Sequence, residues 1–347
     1  MQISNKVLIN TMKRQILLLI VLFVDMVYAC NYTTVINSDN NIYPREPKIS
    51  GRNIVFDYFS EVYRYDLGQD LKFNTSDDLG LFLITNNSYI EDPNVYGNLI
   101  TWIEYNETSE VYLCDVNRNG DYGGCLYNDS KIQITNHTSF KRNPLIFEDK
   151  IFWEDYLNGN FDIFMCSVYC NQSYVKQITN NISNQINLDV SNDLIVYEDD
   201  RNGNADLYFH NLNSKKEYPL VIDYGAQRKP KIFLDYFILW DTNKNGNDDI
   251  YIKSIGYDLI PYTADDSYDV LITNSSFDEY HVAVGKGKGF WQTSKYNSDS
   301  LEGGSVDGEI FEIFNNNSNF LNPSVYGNNI VFEAYSNTVR SIMIAEC

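Results

Sequence analysis

Histidine is scarce in this chain. His137, His210 and His281 are the only three in 347 residues, and their scatter argues against an all-histidine metal site. Basic residues are outnumbered, 26 Lys and Arg against 47 Asp and Glu, for a formal charge of −21. A surface this acidic repels phosphate backbones, so nucleic acid is not an expected partner. Apolar repeats of helical period are absent beyond the N-terminal segment, and Ala, Glu and Lys are too few for a helical bundle. What the chain has is aromatic residues, 28 Tyr and 19 Phe. That composition excludes a disordered chain and suits β-strands. The length fits two ordinary domains or one large all-β domain.

Only one long apolar run occurs. Lys13 and Arg14 precede Ile16 to Val24, and the run continues past Asp25 through Met26-Val27-Tyr28-Ala29 to Cys30. A charged flank, an apolar stretch and a small residue at its end predict a secretory signal over residues 1–29, with an N-terminal anchor as the alternative. The run is short for a spanning helix, so any membrane contact is expected only through this segment. Val27-Tyr28-Ala29-Cys30 also resembles a lipoprotein cleavage site, with Cys30 as the lipid carrier. Asn-X-Ser/Thr occurs at Asn31, Asn74, Asn86, Asn106, Asn128, Asn136, Asn171, Asn181, Asn274 and Asn316. These sequons suit an exported glycoprotein with the sites on exposed loops. The expected location is secreted or at the cell surface.

The remainder, 30–347, is repetitive. Apolar runs ending in an aromatic, usually followed by an acid, anchor at Phe56, Trp102, Trp153, Tyr197, Trp240, Trp291 and Phe332, with a mean spacing of 46 residues. Pro47, Pro93, Pro144 and Pro323 each lie nine residues before an anchor and Pro230 lies ten before, which accounts for five of only eight prolines. Ile-Thr-Asn recurs at 84–86, 134–136, 178–180 and 272–274, and Phe164, Tyr208 and Tyr251 each follow an anchor by eleven residues. The pattern predicts four short strands per repeat with turns between them.

A unit of about 45 residues cannot bury both faces of its sheet alone, and radial stacking solves this. The predicted fold is therefore all-β, a single seven-bladed β-propeller of four-stranded antiparallel blades. The last repeat stops at Cys347 after its third strand, while Tyr32 to Asn37 resembles a missing fourth strand. The N-terminal strand is expected to join the last blade and close the ring, which removes exposed sheet edges.

The runs Trp153-Glu-Asp-Tyr-Leu-Asn-Gly-Asn-Phe-Asp-Ile-Phe164 and Tyr197-Glu-Asp-Asp-Arg-Asn-Gly-Asn-Ala-Asp-Leu-Tyr208 resemble TolB-type (WD-like) propeller repeats. The resemblance spans 30–347 and implies the fold. That family includes binding modules, peptidase propeller domains and polysaccharide lyases, so it does not by itself assign an activity. The chain departs from the peptidases in having no room for an α/β-hydrolase domain, and from the lyases in lacking their metal-binding histidines.

Six cysteines in an exported chain imply three disulfides. In the repeat frame Cys114 and Cys125, and Cys166 and Cys170, flank equivalent connections from third to fourth strand. Cys347 and Cys30 flank the proposed closure in the same way, so the predicted bonds are Cys114–Cys125, Cys166–Cys170 and Cys30–Cys347. A lipid on Cys30 would instead leave Cys347 unpaired.

Calcium is the one cofactor the sequence suggests. Asp241, Asn243, Asn245 and Asp249 follow the order D-x-N-x-N-G-x-x-D of short calcium loops, and Asn-Gly is equally a preferred hairpin turn. Sister hairpins keep Glu154, Asn158, Gly159 and Asp162, and Glu198, Asn202, Gly203 and Asp206. Asp115-x-Asn117-x-Asn119-Gly120-Asp121 begins alike, but Gly123 stands where the closing acid belongs. Gly68-x-Asp70-x4-Thr75-x-Asp77-Asp78 matches Gly256-x-Asp258-x4-Thr263-x-Asp265-Asp266. The match predicts one loop conformation used twice, with or without a cation. These twin loops and the disulfides are expected on one face of the ring, the Asn-Gly hairpins on the other.

No nucleophile–base pair, phosphate cradle or zinc site is legible. The expected function is an exported, non-catalytic module binding a protein or glycan at the cell envelope. The alternative is an extracellular carbohydrate-active enzyme using paired channel carboxylates, recognisable by convergent, desolvated acids at one channel mouth. Tyr105, Tyr156 and Tyr296 either line the binding face or pack between loops.

Overall fold

The computed structural model describes residues 27–38, 43–58, 60–85, 89–117, 125, 131–170, 174–285, 287–295, 298–305, 310–313, 318–336 and 339–347. Residues 1–26 of the predicted leader, Tyr296, and the sequons at Asn86, Asn128, Asn171 and Asn316 lie outside these, as do Asn119 to Gly123. Seven sheets follow one another along the chain, and apart from two N-terminal strands added at their edges the strands of each are antiparallel and in sequence order. Blades 1 to 6 comprise 45–83, 90–133, 141–177, 185–221, 227–271 and 279–313, and blade 7 comprises 319–346 with Asn31–Asn37 as its outer strand.

The predicted closure is present. Thr34 lies opposite Met343 and Ile36 opposite Ile342, with Val35 accommodated in a bulge between them. Cys30 and Cys347 join at a Cα separation of 5.1 Å, Cys114 and Cys125 at 5.9 Å, and Cys166 and Cys170 at 6.0 Å. One element is additional. Val27–Ala29, which the sequence assigns to the end of the leader, pairs in parallel with 310–312 as a fifth strand on blade 6.

The anchors explain the stacking. Strand side chains alternate between faces, and each anchor points at the preceding blade. Trp240 packs with Val196 and Phe209 of blade 4, Phe332 with Phe290 of blade 6, and Phe56 with Val331 of blade 7 across the seam. The residue before the anchor points the other way: Phe152 packs with Ile195 and Tyr197 of blade 4. Second strands are thus buried on both faces, which is why they read as continuous apolar runs. Anchors also stack on their third-strand neighbours, Trp153 on Phe164 at 6.2 Å, Tyr197 on Tyr208 at 6.4 Å and Trp240 on Tyr251 at 5.9 Å.

The short motifs are joints. Thr135, Thr179 and Thr273 of Ile-Thr-Asn accept the main-chain N–H of Val111, Ile163 and Ile250 at 2.8–2.9 Å. The hydroxyl satisfies a donor where the fourth strand ends. In Asn-Gly-Asn the second amide reaches the connection into the next blade, as Asn160 donates to the Ser183 carbonyl at 2.8 Å and Asn247 to that of Phe277 at 2.7 Å.

Candidate channel-mouth site

The innermost strand of every blade carries a bulge at one repeat position. Registers shift between Arg45 and Lys48, Glu91 and Asn94, Arg142 and Leu145, Ile186 and Asp189, Arg228 and Lys231, Tyr280 and Ala283, and Leu321 and Ser324. Each bulge holds a residue with left-handed backbone: Glu46, Asp92, Asn143, Asn187, Lys229, His281 and Asn322, with φ between 47° and 56°. Non-glycine residues adopt this region rarely, and seven equivalent cases mark a constructed ring. The next position is Pro47, Pro93, Pro144, Leu188, Pro230, Val282 and Pro323 in turn. Proline has no N–H to leave unpaired in the bulge.

The acid after the anchor ties the ring together. Glu154 Oε1 accepts from Asn143 Nδ2 of its own blade at 3.0 Å and from the Asn187 main chain of the next at 2.7 Å. Glu198 does the same with Asn187 at 2.8 Å and Lys229 at 2.6 Å, and Glu333 with Asn322 at 2.9 Å and Glu46 at 2.8 Å. In blade 2 the position after Trp102 is Ile103, and Asp92 itself accepts the Asn143 N–H at 2.9 Å.

The seven bulge residues and Glu154 line a cavity of about 340 Å³ at the mouth of the channel, on the face that carries the Asn-Gly hairpins. Its walls include Glu46, Lys48, Asp92, Lys229, Lys231 and His281, and among the described residues no phenyl, phenol or indole ring. Burial and then the neighbouring Asp92 charge push the Glu46 carboxyl up to about 7. Burial also raises Glu198 to about 7 and Asp241 to about 6. Burial, then the Lys229 charge, lowers His281 to about 4, so its imidazole is neutral at pH 7. No shared residue type marks this ring in the sequence, because its side chains differ from blade to blade. The available signal was position, one residue ahead of each repeat proline.

Beside the mouth, on blades 2 and 3, runs a row of aromatic residues. Tyr89 and Tyr105 lie 5.0 Å apart, Tyr105 and Phe140 6.2 Å, Phe140 and Phe161 6.1 Å, and Phe161 and Tyr156 5.1 Å, with the Arg142 guanidinium 3.9 Å from the Phe161 ring. Tyr89, Phe140, Tyr156 and Leu157 remain 44–51 % exposed. Tyr105 and Tyr156 therefore pack between loops and, in the case of Tyr156, also face solvent.

The twin loops have one conformation. Leu71 and Leu259 have φ of 60° and 55°, Asn74 and Tyr262 63° and 66°. Asp70, Asp77 and Asp78 bring carboxylate oxygens within 4.8 Å of one another, and so do Asp258, Asp265 and Asp266. Gly68 and Gly256 fit because a Cβ there would lie 2.6 Å and 2.4 Å from Oδ2 of Asp77 and Asp265. In the Asp241 loop the four residues are spread. Asp241 pairs with Arg228 at 3.2 Å, Asn243 Oδ1 accepts the Ala226 N–H at 3.0 Å, and Asn245 Nδ2 donates to Asp249 at 3.0 Å. The sister hairpins repeat that last bond, Asn158 to Asp162 at 3.1 Å and Asn202 to Asp206 at 2.7 Å.

No family model matches the sequence, and no curated protein matches it. Solved structures do resemble the fold. A protein of Agrobacterium tumefaciens described as TolB is 13 % identical over 77 % of this chain and 94 % of its own, with a TM-score of 0.51. The β-propeller domain of the Trilobed protease from Pyrococcus furiosus, described as having an open velcro topology, is 14 % identical over 88 % and 93 %, with a TM-score of 0.62. The acylaminoacyl peptidase of Pyrococcus horikoshii is 12 % identical over 88 % of this chain, which spans about half, 51 %, of that protein, with a TM-score of 0.60. At these identities the likeness is one of fold: a seven-bladed β-propeller with TolB-like proteins among its structural neighbours, closed here by its own N-terminal strand.

Proposed function

We propose that the protein is an extracytoplasmic binding module whose partner is another protein of the cell envelope, engaged at the channel mouth. The carrying observation is the pairing of a polar cavity with an exposed aromatic rim on one face. Aromatic and arginine side chains are the residues most enriched in protein interfaces. Three disulfides support an oxidising compartment. Exposed sequon asparagines at Asn74, Asn106, Asn136 and Asn274 are compatible with export. Covalent capture from a native envelope extract tests the reading: Phe140→Asp and Tyr156→Asp should abolish recovery of a specific partner that the wild-type chain retains. Equal recovery by both variants would sink it.

A second reading has one observation in its favour. Glu46 and Asp92 converge at the mouth, and Glu46 is raised to about 7, as general acid catalysis of glycoside cleavage requires. Glu46→Gln should then abolish release of reducing ends from envelope polysaccharide. The cavity has no aromatic platform for a sugar, which places this reading second.

Calcium in the twin loops is part of the proposal. Thr75 Oγ1 lies 3.3, 2.8 and 2.9 Å from oxygens of Asp70, Asp77 and Asp78. One hydroxyl donates one proton, so a hard cation suits the remaining oxygens. The hydrogen bond from Thr75, then those from the Gln69 and Asp70 main chain, hold Asp77 below the usual carboxylate range.

A further inference from the structure

In a chain of charge −21, three lysines nonetheless line the channel mouth: Lys48 of blade 1 and, across the ring, Lys229 and Lys231 of blade 5, with His281 of blade 6 beside the latter pair. Their partners differ. Lys231 Nζ lies 3.2 Å from Asp189 Oδ1, and the other oxygen of that carboxylate accepts the Ile232 N–H at 2.9 Å. Lys229 Nζ donates to His281 Nε2, whose ring is oriented from behind by Gln292 Oε1 at 3.3 Å from Nδ1. A neutral imidazole holds that ammonium in place without cancelling its charge. Lys48 Nζ has no hydrogen-bond or ion-pair partner among the described residues. Burial, then the Lys231 charge, hold its ammonium below the ordinary lysine value.

A half-buried ammonium with no hydrogen-bond or ion-pair partner among the described residues, attracted only at longer range by Glu46, Asp92 and Glu333 and facing a second ammonium across a cavity, is incompletely compensated in the empty protein. An anion between them relieves both the desolvation and the repulsion. We propose that the channel mouth binds a carboxylate of a peptide, clasped by Lys48 and Lys231 with Lys229 as the third cation. The inference rests on the protein-binding reading and names the group that reading recognises. A peptide fits the remaining walls. Asn143, Asn187 and Asn322 turn their Nδ2 groups to the acids of the ring, which leaves their Oδ1 atoms to accept peptide N–H groups. Pro93, Pro144 and Leu188 supply apolar contact. The carboxylate can come from an acidic side chain or from a chain terminus, and the chemistry is shared.

The full chain is titrated, with anisotropy as the readout, against three short labelled peptides. One carries glutamates and an amidated end, one is Gly-Ser with a free terminal carboxylate, and one is the amidated glutamine analogue of the first. Binding of the first or the second, tighter than the third and weakening with added salt, supports the site and identifies the source of the carboxylate. Lys48→Met and Lys231→Met should each weaken that binding by about tenfold. Lys48→Met should change the melting temperature little, since it breaks no hydrogen bond or ion pair among the described residues, so lost binding reads as loss of the site and not of the fold. Equal affinity for all three peptides, or acidic-peptide binding unchanged in both lysine variants, overturns the proposal. If Phe140→Asp loses its envelope partner while no acidic preference exists, the protein-binding reading survives and the carboxylate site does not. If acidic peptides bind and partner capture withstands Phe140→Asp, the aromatic-rim reading fails instead.

Discussion

Glu198 Oε1 is shared between two blades, accepting Asn187 Nδ2 of its own blade at 2.8 Å and the Lys229 main-chain N–H of blade 5 at 2.6 Å. A single buried carboxylate thus holds the left-handed bulge of one blade and positions that of the next. Glu154 and Glu333 repeat the arrangement, the latter across the closure into blade 1. In these three blades the acid that follows the anchor is therefore a tie of the channel ring, whereas Asp57 and Asp241 pair with Arg45 and Arg228 of their own blades.

Burial of the Glu198 carboxyl, against the opposing hydrogen bonds from the Lys229 main chain and Asn187, makes stability depend on pH. Glu198 and Glu46 are each raised to about 7, so the fold favours their protonated forms. Their contribution is fully present below the ordinary value of about 4.5 and is lost as pH rises through about 7. The unfolding free energy should fall across that window, by on the order of 3 kcal/mol for buried Glu198, and the melting temperature with it. Self-repulsion of an acidic chain acts in the same direction. The diagnostic is therefore that Glu198→Gln and Glu46→Gln flatten the profile, while a control substitution at exposed Asp149 does not. A profile as steep in both variants as in the wild type would show that these carboxyls are not shifted.

The anchor stack predicts a graded loss. Trp153 is buried against blade 2, stacks on Phe164 and donates from Nε1 to Asp155 at 3.2 Å. Trp153→Ala should cost roughly 3–5 kcal/mol in denaturant unfolding and Trp153→Phe clearly less. Equal losses would mean that the indole's hydrogen bond, rather than its volume, carries the stability.

Strand number, closure and cysteine pairing were legible in the sequence because they rest on residues that nothing else can replace. A buried aromatic every 46 residues on average has to meet a neighbouring sheet, and a proline at a fixed offset has to sit where no N–H is needed. The channel ring was not legible. The left-handed bulge is occupied by Glu, Asp, Asn, Lys and His alike, held by a neighbouring blade's acid at Glu46, Asn143, Asn187 and Lys229, so the ring has a shape in common and no shared residue type. The twin loops were legible as a pair because Gly68 and Gly256 admit no side chain against Asp77 and Asp265. Val27–Ala29 escaped notice because a three-residue parallel edge strand reads like the end of an apolar leader.

The same glycines give a test of the loops. At φ of 73° and 67°, with carboxylate atoms in the way, Gly68→Ala and Gly256→Ala should each cost roughly 1–3 kcal/mol. Calcium should raise the melting temperature of the wild-type chain, and Asp77→Asn with Asp265→Asn should remove the response. A melting temperature indifferent to calcium and to chelator would leave the loops as self-satisfied turns.

The seam between the two ends of the chain is tested most directly by peptide mapping without reductant. A fragment containing Cys30 joined to one containing Cys347 is the predicted product, and Cys30→Ser should lower stability by about 2–5 kcal/mol. A free thiol at Cys347, or a lipid on Cys30, would contradict the covalent clasp and leave the seam to strand pairing alone.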